Sequence, residues 1–181
     1  MHITTNRYSS LSIGMRWLML LLLIAVYAVI ELHDAFPKDS DLRAQTKTWH
    51  YMLGLCVLVL VAVRLATRLV SCPAPRIVPE SSPWQQRLAG WMRLALYLFM
   101  VAMPLLGWLL LSAEGDPIPF FGLQLPPLLG ESKASADLLK DIHETIAAIG
   151  YWLIGLHAAA ALFHHHLMHD NTLVGMLPRR S

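Results

Sequence analysis

The segment DIHETIAAIGYWLIGLHAAAALFHHH, residues 141–166, is mostly apolar, yet it carries histidines at a regular spacing. His143, Gly150, His157 and His164 follow one another at intervals of seven residues. Seven residues make nearly two helical turns, so the four positions lie close to one stripe of a helix and drift by only about 20° per heptad. Small residues between the imidazoles leave room for a flat molecule. The pattern therefore predicts a helix that binds a planar group through histidine.

The composition of the whole chain predicts a membrane protein. Of the 181 residues, 56% are hydrophobic and only 14% are charged, whereas about a quarter of the residues in a soluble domain are charged. Four apolar runs are long enough to cross a hydrocarbon core of about 30 Å, and they lie near residues 13–32, 49–70, 88–112 and 146–168. We expect the first run to be retained, because no small-residue cleavage site follows a short apolar core. The sequence predicts an all-α integral membrane four-helix bundle, with residues 1–181 in a single domain.

The distribution of charge predicts the orientation of the bundle. With the N-terminus inside, nine of the 14 lysines and arginines fall on the inner side, and ten of the 12 acidic residues fall in the outer loops. The positive-inside rule therefore predicts that both termini are cytoplasmic. The formal net charge of +2 is small, and the chain has no groove-like pattern of basic and aromatic residues. We therefore expect the lipid bilayer as a partner and exclude nucleic acid.

The connections between the spans differ in character. The inner connection SCPAPRIVPESSPW, residues 71–84, contains four prolines and predicts an extended strap. The outer connection, residues 113–141, carries GDPIPF, LPPLLG and the start of the helix-like SADLLKDIHET, and we expect it to fold over the outer end of the bundle. Pro104 and Gly107 predict a kink in the third span.

Two histidines are predicted at similar depth near the outer boundary of the membrane. His50 opens the second span with Gly54 one turn deeper, and His143 opens the fourth span with Ala147 one turn deeper. His157 lies about 21 Å farther along its helix, in the inner half. Neutral imidazole is an axial ligand of haem iron, and a small neighbouring residue lets the macrocycle lie against the helix. Paired histidines at two depths indicate b-type haem, while the simpler alternative is a set of interfacial histidines satisfied by water or loop carbonyls.

The stretches RYSSLSIGMRW, LYLFMVAMPLLGW and HETIAAIGYWLIGLHAAAALFHHHLMHDNTLVGMLPRR resemble the bacterial cytochrome b561 family, particularly the superoxide oxidases of enterobacteria. The similarity covers nearly the whole chain. The resemblance implies a four-helix bundle of the bacterial inner membrane that binds two b haems and exchanges electrons with ubiquinone. By matching motif, it implies that His50 and His143 ligate the outer haem, that His157 is one ligand of the inner haem, and that His164 stands beside the quinone.

The chain departs from the family pattern at two inner positions. The family's first helix normally carries a histidine before its tryptophan, as the partner of the residue at His157, and here that position is Arg16. The third helix often has a histidine four residues before Tyr97, and here it is Arg93. Arginine offers no lone pair to iron. The inner haem is therefore five-coordinate through His157, ligated by Met15, or absent, and a helix turns Met15 about 100° away from Arg16.

The two arginines have alternative roles. Arg16 and Arg93 can hold haem propionates or a quinone oxygen, or they can simply extend to the cytoplasmic interface. The sequence leaves these alternatives open.

The resemblance also implies an activity, a b-type cytochrome that oxidises superoxide at the outer side and reduces ubiquinone. No obligatory protein partner is evident from the sequence. Two alternatives belong to other classes: a haem-bearing anchor subunit of a dehydrogenase or hydrogenase, and a structural membrane protein with a degenerate haem pocket. The outer loops carry a net negative charge, so attraction of the superoxide anion would need a local basic cluster. The candidates are Lys38, Arg43 and Lys47, or Lys133 and Lys140.

Overall fold

A computed structural model describes residues 9–70, 82–171 and 173–176 of the chain. The four long helices are α1 (Ser10–His33), α2 (Asp41–Val70), α3 (Pro83–Glu114) and α4 (Lys133–His166). All four are long and apolar enough to cross a membrane. The predicted all-α membrane architecture is therefore confirmed. Most of the predicted inner strap, residues 71–81, lies outside the described residues.

Polar residues fix the ends of the helices that carry the site. Ser132 precedes α4, and its hydroxyl accepts a hydrogen bond from the Ser135 N–H at 3.3 Å. At the start of α3, the Gln85 side chain accepts from the Ser82 N–H at 2.9 Å. These bonds satisfy N–H groups that a helix start leaves unpaired. Gly115 ends α3 with φ of 74°, a left-handed conformation that glycine adopts without steric cost.

Helix α4 is longer than the membrane requires. Its 34 residues span about 51 Å at 1.5 Å per residue, against a hydrocarbon core of about 30 Å. The sequence suggested that SADLLKDIHET belongs to the connection that folds over the outer end. In the structure this segment instead forms the first turns of α4. His143 consequently lies well inside α4 rather than at its beginning.

A small β-hairpin, which the sequence did not predict, follows α3. Strands β1 (Ile118–Phe120) and β2 (Leu123–Leu125) pair antiparallel, with Phe120 opposite Leu123. The two loop residues, Phe121 and Gly122, have φ of 47° and 86°. Positive φ at both loop positions is the geometry of the tight turn whose twist matches that of the strands.

The hairpin packs on the ends of two helices. Ile118 is buried against Leu55 of α2 and Leu111 of α3, and the Trp108 indole N–H donates to the Pro126 carbonyl at 3.0 Å. Residues 116–131 of the outer connection thus cover this end of the bundle, in agreement with the sequence. We call it the hairpin end, and we call the opposite end, where α1 begins and α4 ends, the termini end.

The helices pack as two pairs. Helix α1 lies chiefly against α2, and α3 chiefly against α4, while α2 and α3 join the pairs. A shared core is formed by Met19, Val57, Val61, Phe99 and Met100. Many large apolar side chains on all four helices face outward, as expected of a surface that contacts lipid rather than water.

Gly150 marks the closest approach between α4 and its neighbours. A Cβ at this position would lie 2.5 Å from Phe99 Cζ and would also overlap the Tyr27 hydroxyl. That hydroxyl donates a hydrogen bond to the Ala147 carbonyl at 2.8 Å. The space beside Gly150 is therefore filled by protein side chains, which corrects the expectation of an open stripe for a flat molecule at this point. Helix α3 continues through Pro104, and the kink there stays a prediction.

Candidate functional site

The structure brings together His50 and His143, the predicted outer pair. Their ring centroids are 6.3 Å apart and their planes are inclined by 74°. His50 comes from α2 and His143 from α4, so the pair connects the two helix pairs across the interior of the bundle. Neither ring is fully exposed. The shared depth that the sequence predicted for these residues is therefore confirmed by their contact.

Neighbouring groups hold the two rings differently. His50 Nδ1 lies 3.2 Å from the Val26 carbonyl of α1, and a carbonyl can only accept, so Nδ1 carries the proton. The lone pair of a neutral His50 is then on Nε2. His143 stands against Gly107 of α3, where a Cβ would lie 3.5 Å from its Cε1. Its Nδ1 is buried and has no hydrogen-bond partner among the described residues.

These observations fit a haem iron between the two rings. A metal–imidazole bond is about 2 Å long, and the nitrogen lies about 1 Å from the ring centre, so two axial imidazoles place their centroids roughly 6 Å apart. A carbonyl that accepts from the distal nitrogen is the usual support of a ligating histidine. Gly54, one turn from His50, has open space where a side chain would stand. The residues present therefore suit an axially ligated haem.

Each of the four helices contributes to a second polar group nearer the termini end. Arg16 of α1 lies within electrostatic range of His157 of α4 and of Arg64 of α2. The Arg64 guanidinium lies over the Tyr97 ring of α3 at 5.7 Å. Ionisable residues within membrane spans are costly and commonly mark functional sites. The structure thus places Arg16 near His157, where the family pattern has the partner histidine.

The structure distinguishes between Met15, Arg16 and Arg93, the residues considered for the inner position. Met15 is buried with 9% of its surface exposed, and the helix turns it about 100° from Arg16. Arg93 is exposed, and its Nε donates to the Ala89 carbonyl at 3.1 Å within its own helix. The arginines therefore differ, since only Arg16 interacts with His157.

His164, predicted beside a quinone, lies in the last turn of α4. Its Nδ1 is 2.7 Å from the Asp170 carboxylate, whose side chain is 2% exposed. The sequence reasoning missed Asp170. The available signal was that it is one of only two acidic residues on the predicted inner side of the chain.

The basic residues at the hairpin end are largely paired with acids. Arg43 contacts the Asp34 carboxylate at 2.9 Å, and Lys47 Nζ lies 4.0 Å from Asp116. Lys38, Arg43 and Lys47 line a shallow surface depression of about 350 Å³. Asp39 and Asp41 line the same depression. The expected cluster therefore exists in space, but its positive charge is partly neutralised.

The described residues contain no group of three or more histidine, cysteine or acidic side chains suited to a bare metal ion. The candidate site is a pair of histidines within an apolar membrane bundle, an arrangement typical of membrane-bound b-type cytochromes. Residues 7–179 match the family model described as "Prokaryotic cytochrome b561". The chain therefore belongs to the prokaryotic cytochrome b561 family, whose members are electron-transfer membrane proteins that bind b-type haem.

Individual relatives match over almost their full length. The chain is 41% identical to "Cytochrome b561 homolog 1" of Escherichia coli strain K12, over 97% of this chain and 99% of that protein. It is 38% identical to "Probable superoxide oxidase CybB" of Yersinia pestis, over 97% and 98%. It is 29% identical to "Cytochrome b561 homolog 2" of Escherichia coli strain K12, over 98% and 95%.

Proposed function

We propose that this cytochrome oxidises superoxide at the hairpin end and passes the electrons to ubiquinone. The balanced reaction takes two superoxide anions, one ubiquinone and two protons to two dioxygen molecules and one ubiquinol. The observation that carries the proposal is the separation of 6.3 Å between the His50 and His143 rings, which suits a redox-active haem at this end. The relative named as a probable superoxide oxidase supports the choice of donor.

His50 and His143 hold the haem in this proposal. The Val26 carbonyl accepts from His50 Nδ1 and so keeps Nε2 free for iron. Gly107 lies beside the ring of His143, where even a Cβ would be at ordinary van der Waals distance from Cε1. When bound, the haem supplies a carrier that accepts and releases one electron at a time. The protein's contribution is to fix the ligands and to surround the site with apolar side chains that exclude water.

A second haem at the inner position would be held by His157 without a second histidine. Arg16 stands where the family pattern has the partner histidine and lies within electrostatic range of His157, and a permanently charged guanidinium cannot replace an imidazole as a ligand. Arg16 and Arg64 are suited instead to carboxylates such as haem propionates. The cofactor content is therefore one or two haems, with the outer one held by the complete ligand pair.

We place the termini end at the cytoplasmic face of the bacterial inner membrane. The support is the excess of basic residues in the segments at that end and of acidic residues at the hairpin end. A cysteine introduced at Ser135, near the start of α4, should then react with a membrane-impermeant reagent added outside whole cells. Labelling at Ser181 instead of Ser135 would reverse the orientation.

The decisive experiment is quinone reduction by enzymatically generated superoxide in the purified protein. Wild type should reduce a soluble ubiquinone analogue faster than superoxide does by itself, and His143→Ala should abolish the difference. His33→Ala is the matched control, because His33 lies at the same end, bonds Asp34 and stands outside the ligand pair. A rate equal to the spontaneous one would remove superoxide as donor and leave an electron-transfer cytochrome with another reductant.

A further inference from the structure

Asp170 is a buried carboxylate that contacts His164 near the termini end. Its side chain is 2% exposed, while the His164 side chain is 26% exposed. Their Nδ1 to Oδ2 distance of 2.7 Å is at the short end for a hydrogen bond to an ionised acceptor. A carboxylate is costly to bury unless it is paired in this way. The Asp170 carboxylate is thus shielded from solvent, while part of the His164 ring remains accessible.

The backbone after α4 folds back to form this contact. The Asp170 N–H donates to the His164 carbonyl at 3.2 Å, and the residue before it, His169, has φ of 51°. A left-handed conformation is uncommon for residues other than glycine. The unfavourable backbone geometry at His169 is therefore compensated by a turn that returns the Asp170 carboxylate to His164.

We propose that Asp170 is a positioning residue for proton transfer from His164 to the reduced quinone. This inference rests on the quinone reduction proposed above and on the place beside the quinone that the family resemblance implies for His164. The carboxylate accepts the Nδ1–H and so fixes the ring, which directs Nε2 to the opposite side, away from Asp170. A buried acid that orients a histidine in this manner sets its tautomer without taking up the proton itself.

The chemical step balances with groups already named. The quinone receives two electrons, which originate from superoxide, and each of its two oxygens takes one proton. His164 releases a proton from Nε2 to a quinone oxygen, retains the Nδ1–H bonded to Asp170, and regains the Nε2 proton from water at the termini end. Asp170 remains ionised throughout. The other quinone oxygen takes its proton from water at the termini end.

The competing explanation is structural, with Asp170 only closing the turn after α4. A double-mutant cycle separates the two roles, because a residue that acts through His164 has no further effect once His164 is removed. The protein is reduced chemically, excess reductant is removed, and oxidation of the haem by a ubiquinone analogue is followed by stopped-flow absorbance. Superoxide is omitted, so failure of the proposed donor does not affect the result.

We expect Asp170→Ala to slow this oxidation by about 10- to 100-fold, the usual effect of losing the partner that orients a functional histidine. Asp170→Asn, which keeps an acceptor but loses the charge, should be slowed less. In the His164→Ala background, Asp170→Ala should change the rate by less than about twofold. Asp137→Ala is the control, since Asp137 is an exposed acid near the start of α4, at the opposite end of that helix from His164.

A second readout does not depend on activity. The protein is labelled with ¹⁵N-histidine for NMR, and the His164 signals are identified by their loss in His164→Ala. These signals should show a protonated Nδ1 in wild type and a changed distribution of tautomers in Asp170→Ala. The inference is overturned if Asp170→Ala leaves the rate unchanged, or if it slows both backgrounds equally. Failure of wild type to react with quinone would overturn the proposed acceptor and this inference together.

Discussion

Gly150→Ala tests the packing of α4 at its closest contact. The added methyl carbon would lie 2.5 and 2.6 Å from two atoms of the Phe99 ring, whereas carbon atoms normally approach to about 3.5–4.0 Å. The ring must therefore move by about 1 Å. Phe99 is only 7% exposed and belongs to the shared core, so its movement displaces other side chains.

The expected cost follows from three contributions. Overpacking of a core costs about 1–3 kcal/mol, and loss of the hydrogen bond from Tyr27 to the Ala147 carbonyl adds about 1 kcal/mol. The greater helix propensity of alanine offsets about 1 kcal/mol. We expect a net loss of about 1–3 kcal/mol in the free energy of unfolding, which corresponds to a fall in Tm of about 2–4 °C per kcal/mol for a chain of this length.

Thermal unfolding of the purified protein in detergent, followed by far-ultraviolet circular dichroism, measures the change. Gly155→Ala on the same helix is the matched control, because no atom from elsewhere in the described residues lies within 4 Å of its Cβ position, and it should leave Tm unchanged or raise it. Phe99→Leu should reduce the effect of Gly150→Ala by opening space. If Gly150→Ala is as stable as Gly155→Ala but loses haem, the space beside Gly150 serves the cofactor, and the packing argument is wrong.

Three further results are expected. His143→Ala removes one of the two proposed haem ligands, so the low-spin haem spectrum and the haem content per protein should fall sharply; retention of both in this variant and in His50→Ala would exclude the pair as the site. Arg16→His should add a second low-spin centre in the reduced-minus-oxidised spectrum, a result that two low-spin haems in the wild type would contradict. Lys47→Glu should slow superoxide-driven quinone reduction at low ionic strength and slow it less at high salt. Lys140→Glu, on α4, should have a smaller effect. Equal rates in wild type and in both variants would argue against local attraction of the anion.

The paired histidines were predictable because depth in a membrane helix can be read directly from sequence. Each helix residue advances a fixed distance, so His50 and His143 could be placed at one level before their helices were positioned. The occupant of the space beside Gly150 could not be read in this way. A heptad stripe shows which face a small residue lies on, but the approach of Phe99 and Tyr27 depends on how the neighbouring helices are rotated.

The contact of Asp170 with His164 was hidden for a different reason. It requires a left-handed residue, His169, and only a few per cent of residues other than glycine adopt that conformation, so a sequence pattern gives no signal for it. The extension of α4 through SADLLKDIHET was similarly underestimated, because hydropathy identifies the part of a helix that lies in lipid and not the part that continues into water. Both features depend on local backbone geometry, which composition and periodicity do not report.

The arrangement of the helices as two pairs has a consequence for how the protein assembles during synthesis. Helices α1 and α2 can associate as soon as both have entered the membrane, and α3 and α4 can do the same later, because each pair is joined by its own contacts. His50 belongs to the first pair and His143 to the second. A haem bound by both would add a link between the early and the late half of the chain to the contact of α2 with α3, so cofactor binding would stabilise the last step of assembly.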